Sequence, residues 1–123
     1  MQWLKDFANE LETVVAPIPV RAMGTKNTAN PVLIYQPISF PKVDSHAHGE
    51  GRRDVTIQVD IYTDTMADTI AAYEMIEDHF DFFEHVMGTT AVNGTRVRPT
   101  ISILAQTGDE GFRQTLEITF QAQ

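Results

Sequence analysis

The chain has 123 residues, 42% of them hydrophobic, so one domain with a substantial core is expected, and a (β/α)8 barrel, which needs ~250 residues, does not fit. Seventeen acidic against nine basic side chains leave a net charge of −8, which argues against a surface that grips nucleic acid through phosphate contacts. The absence of cysteine removes disulfide frameworks, thiolate metal sites and thiol nucleophiles, and fits a reducing compartment.

In chain order, Trp3, Leu4, Phe7, Leu11 and Val14 recur at helical spacing with Asp6, Glu10 and Glu12 between them, and Pro17 and Pro19 stop the pattern. This predicts a short amphipathic helix; its charges set it apart from a secretory signal. "PIPVRAM" then reads as a short strand, whose prolines suit a sheet edge. After the turn-rich "GTKNTAN", the β-branched and aromatic run "PVLIYQPIS" predicts a second strand.

Residues 41–54 hold two histidines, two glycines and six charged side chains without apolar periodicity, and read as a long exposed hairpin loop. In "DVTIQVDIYTD", Val55, Ile57, Val59 and Ile61 alternate with polar neighbours, the period of a half-buried strand. Thr65 and Asp68 form a capping-box-like pair that opens a second helix, expected to run through "MADTIAAYEMIEDHFDFFEHVM" to Gly88.

On that helix Glu74, Glu77, Asp78, Asp81 and Glu84 gather on one side, as a solvated face or one that meets a basic partner. Ile70, Tyr73, Ile76, Phe80, Phe83 and Met87 form one apolar flank; Ala71, Met75, Phe82 and Val86 form another. An arc this wide needs more than one sheet face to cover it, either the first helix or a neighbouring subunit. Asn93, Gly94 and Thr95 match a glycosylation sequon but read as a turn. "TISILAQ" and "FRQTLEITFQ" predict a hairpin through "TGDEG", with Phe112, Leu116, Ile118 and Phe120 on one face of the last strand. The expectation is a single α+β domain over residues 1–123, a mainly antiparallel sheet of four to five strands packed with two helices.

Asp44, His46 and His48 spell D-x-H-x-H, the string that ends the first barrel strand of amidohydrolase-type enzymes. Two imidazoles with Asp44 or Glu50 could hold zinc, nickel or copper, but they make an incomplete set on a loop that would have to be ordered, so no metal or other cofactor is expected. His79 and His85, six apart, lie on different parts of the predicted helix, and no H-E-x-x-H occurs. Ser39, Ser45 and Ser102 are the only serines, and none lies in G-x-S-x-G. No enzymatic constellation stands out, and no apolar run reaches the ~20 residues of a membrane span.

The succession "NPVLIYQPIS", a charged loop, "RRDVTIQVDIYTDTMADTIAAYEMIEDHF" and "ISILAQTGDEGFRQTLEITFQAQ" resembles the tail terminator, or tail-completion, proteins of long-tailed bacteriophages. The likeness lies in element order and strand character over nearly the whole chain. It implies a virion structural protein, not an enzyme: α+β subunits that form a homo-hexameric ring on the tail tube, stop its polymerisation and present a surface to the head-tail connector, or stopper. The implied partners are the chain itself, the major tail tube protein and the connector. DNA would pass through the lumen without specific binding, and no membrane is involved. The implied location is the tail or neck of the virion, and the host cytoplasm during assembly.

Within this reading Arg52 and Arg53, beside Glu50 and Asp54, are candidates for charge-assisted contacts across a subunit boundary. Met75, Phe82 and Val86 on the second apolar flank are candidates for a neighbour or the tube. The alternatives are another head-tail adaptor, a tube subunit, or a small metal-binding domain or hydrolase using His46 and His48.

Overall fold

The computed structural model describes residues 1–24, 30–43, 52–100, 104–105 and 111–123. In order these form α1 (Gln2–Val15), β1 (Val20–Ala22), β2 (Val32–Ser39), β3 (Lys42–Val43), β4 (Arg52–Thr63), α2 (Met66–Phe80), β5 (Val86–Met87), β6 (Thr90–Pro99), β7 (Leu104–Ala105) and β8 (Phe112–Ala122). The sheet runs β1-β2-β4-β8-β6-β5, with β3 extending the pairing of β4 and β7 that of β8. β1 pairs with β2 in parallel, and every other described pair is antiparallel.

The α+β class therefore holds, but the sheet is a mixed one of six strands, not an antiparallel one of four to five. β5 lies in what reads as the second helix, and β6 is masked in the sequence by the turn-like Asn93-Gly94. Those residues sit inside β6 at a bulge, where the register against β8 slips between Asn93 and Arg96 and Gly94 takes φ +66°. The strand pairing also enters the expected loop further than its composition suggests, as Lys42 and Val43 oppose Arg53 and Arg52.

Strand alternation divides the sheet cleanly. Val55, Ile57, Val59 and Ile61 of β4, with Leu116, Ile118 and Phe120 of β8, face the helices and are buried. Both helices pack on this one side. α1 buries Trp3, Phe7, Leu11 and Val15, one residue per turn. α2 buries Thr69, Ala72, Ile76 and Phe80. Its N-terminus is capped as the sequence predicts: the Thr65 Oγ1 accepts from the Asp68 N–H at 3.1 Å.

Phe7 ties the layers together. It is fully buried, with its ring 5.5 Å from Phe80 of α2, 5.9 Å from Phe120 of β8 and 6.4 Å from Tyr35 of β2, centroid to centroid. Phe7→Ala should therefore lower the unfolding free energy by about 3–5 kcal/mol, read from the urea midpoint at unchanged slope.

Candidate functional site

The second helix ends at Phe80, not Gly88, because residues 81–87 serve the outer edge of β6 instead. Asp81 leaves the helix with ψ 126°, and its Oδ1 accepts from the Val97 N–H at 3.1 Å. The Phe82 N–H donates to the Thr95 carbonyl at 2.9 Å, with Phe82 at φ +64°, and the Val92 N–H donates to the His85 carbonyl at 3.0 Å. β5 completes the edge through Val86 and Met87. Asp81 thus holds the fold and is not part of a solvated acidic face, and His85 lies outside the helix.

The same segment turns apolar side chains outward. Phe82 is 67% exposed and Val86 58%, while Met75, on the helix proper, is 43% exposed. The Arg96 guanidinium lies 4.1 Å from the Phe82 ring centroid, covering part of that ring.

The other predicted site residues are dispersed. Arg52 and Arg53 are neighbours on β4 and so point to opposite sides of the sheet. Arg53, on the helix side, donates to the Phe40 carbonyl at 2.9 Å and lines a hollow of about 340 Å³ with Gln2, Trp3, Thr89 and Thr90. Asp54 is exposed on the side of Arg52. Asp44, Ser45, His46, His48, Glu50 and Ser102 lie outside the described residues, so the D-x-H-x-H string has no geometry to report. Among the described residues no group of three or more His, Cys, Asp or Glu is placed to hold a metal ion. His79 bonds Glu10 across the helix pair at 2.9 Å, its ring packed between Phe80 and Phe83. Among the described residues no helix is long and apolar enough to cross a membrane.

Two buried carboxylates escape sequence reasoning because each reads as an ordinary polar position. Asp60, 2% exposed on the helix-free side of the sheet, accepts from the Thr115 hydroxyl at 2.5 Å and from Arg113 Nη2 at 3.4 Å. Asp6 accepts from the Thr90 hydroxyl at 2.6 Å, Gln2 Nε2 at 2.8 Å, and the Thr89 hydroxyl and N–H at 3.1 and 3.2 Å. The helix spacing of Asp6 with Gln2 was the only available signal. Against Asp6 stands Gly88 at φ +58°, where a Cβ would lie 2.5 Å from Asp6 Oδ1. On α2 the half-buried Tyr73 phenol, packed against the core, is pushed up to about 12, by burial first and then by its hydrogen bond to Glu77.

No family model matches the chain, and no curated protein matches it either. Solved structures do share its fold. One is a chain of a virion of a native gene transfer agent particle, 15% identical, with a TM-score of 0.63 over 91% of this chain and 83% of that one. Another, of a protein whose name carries no description, is 18% identical, with a TM-score of 0.57 over 98% of this chain and 90% of that one.

The Thr90 bond foremost, then those of Gln2 and Thr89, hold the Asp6 carboxyl below the usual aspartate range against the opposing effect of burial. The folded state therefore favours the anion. The stability this contributes is full above the unfolded aspartate value of ~3.9 and is lost as pH falls through the lowered folded value. Asp6→Asn should melt below wild type at pH 7, and the gap should narrow steadily below about pH 4 in a series of thermal melts.

Proposed function

We propose that this chain is a structural subunit of a phage or phage-like virion and, within it, the tail terminator: a ring of six copies that caps the tail tube, stops its growth and offers the joining surface for the head connector. The observation that carries this reading is the fold shared over 91% of the chain with a component of the gene transfer agent virion. Arrangement of elements, not sequence identity, is what the two chains have in common, and it agrees with the element order by which the sequence resembles tail terminators.

The surface chemistry supports an assembling role. Phe82 and Val86 are large apolar side chains held outward on a segment tied down at both ends, so a partner need not order the backbone that carries them. A ring subunit needs two unlike patches, one for each neighbour. A net charge of −8 suits a lumen through which DNA slides without sticking. In this role the protein does no chemistry: its partners are further copies of itself, the major tail tube protein and the connector, in the tail or neck of the virion after assembly in the host cytoplasm.

The test is a tube-capping assay with tail tubes purified from the same particle. A terminator should appear as a ring at one tube end and halt elongation, whereas tubes that keep growing in its presence overturn the assignment. Binding to the connector without binding to the tube would make the chain an adaptor instead. Phe82→Glu with Val86→Glu should leave the thermal melt nearly unchanged and weaken tube capping by roughly tenfold or more, as expected when charge enters an apolar contact.

A further inference from the structure

Among the described residues, helices cover the sheet on one face only. Both helices lie on the side of Val55, Ile57, Val59 and Ile61, and the other side carries Thr56, Gln58, Tyr62, Glu117 and Thr119 without a helix upon it. Arg96 and Arg98 are exposed on this helix-free face, since Val97 between them faces the core opposite Ile118.

The outward face of α2 is its complement. Glu74 and Asp78 are exposed there, flanked by the exposed Ile70 and Met75, with the small Ala67 and Ala71 alongside. The ion pairs among the described residues are His79 with Glu10 and Arg113 with Asp60, so neither the two acids nor the two arginines have an ion partner there. Arg96 is held over the Phe82 ring, 4.1 Å from its centroid, and donates to the Thr95 carbonyl at 2.8 Å, contacts that leave its charge without an ionic partner among the described residues.

The spacing matches as well. Glu74 and Asp78, four apart on a helix, are separated by about 6 Å along its axis. Arg96 and Arg98, two apart on a strand, are separated by about 6.5 Å.

We propose that the helix-free sheet face receives the outward face of α2 from a second copy of this chain, with Glu74 and Asp78 of one copy against Arg96 and Arg98 of the next. The two faces differ, so the contact is head-to-tail and builds a ring where its rotation closes. The contact itself stands on charge and spacing; its closure into a ring of six rests on the function proposed above.

Charge reversal tests it directly, with light scattering after size exclusion over a concentration series. Wild type should assemble. Glu74→Lys with Asp78→Lys, and separately Arg96→Glu with Arg98→Glu, should each raise the concentration for half-assembly by roughly tenfold or more, because like charges then face each other. An equimolar mixture of the two variants should restore assembly, since each supplies the complement of the other. Arg98 stands opposite Glu117 in the sheet, so its reversal puts two carboxylates side by side; Arg96→Glu alone, opposite Thr119, repeats the test without that strain. A monomeric wild type, reversals that assemble normally, or a mixture that stays apart would each overturn the contact. Rings that depend on the contact but ignore tail tubes would instead leave it standing and remove the terminator assignment.

Discussion

The outer edge of β6 sets much of the structure. A strand at the margin of a sheet leaves N–H and C=O groups that must be paired, hydrated or covered. Here residues 81–87 cover them: the Asp81 carboxylate takes the Val97 N–H, the Phe82 N–H serves the Thr95 carbonyl, and the His85 carbonyl takes the Val92 N–H. That requirement ends α2 at Phe80, places Phe82 at φ +64° and leaves Phe82 and Val86 outward. An unbroken helix to Gly88 would satisfy its own backbone and leave this edge bare.

The far end of the covering segment is fixed to α1. Asp6 draws together the Thr89 N–H and the hydroxyls of Thr89 and Thr90, just beyond β5, and Gly88 is there because only a residue without Cβ fits beside the carboxylate. At the very next residue of α1, Phe7 packs on Phe80, the last residue of α2. The edge cover is thus pinned at its start by packing and at its end by a charge-assisted network. Its exposed apolar side chains are held in place by this frame.

The parts legible in the sequence are those where a local period and the tertiary structure agree. α1 was readable from its apolar spacing, β4 and β8 from alternation, β2 from its β-branched and aromatic run, and the start of α2 from Thr65. The end of α2 was not. "DFFEHVM" keeps helical periodicity and good apolar content, but tertiary hydrogen bonds to β6 outweigh that local preference, as they can when propensities differ by only tenths of a kcal/mol per residue. β1 was foreseen as an edge strand, yet nothing local tells its parallel pairing with β2, which depends on where the chain returns after residue 30.

The charged surfaces illustrate a sharper limit. Counting alternation along β6 from the buried Val92 would send residues 94, 96 and 98 to the core side, and two arginines there would argue against a strand at all. The bulge at Gly94 inserts one residue, so the buried set becomes Thr90, Val92, Thr95 and Val97. A shift of one residue turns every later side chain to the other face. Arg96 and Arg98 thereby leave the helix side, Arg96 lying over the Phe82 ring and Arg98 across from Glu117. The bulge at Gly94, with its positive φ, is therefore what brings two arginines to the surface on the helix-free side of this acidic chain.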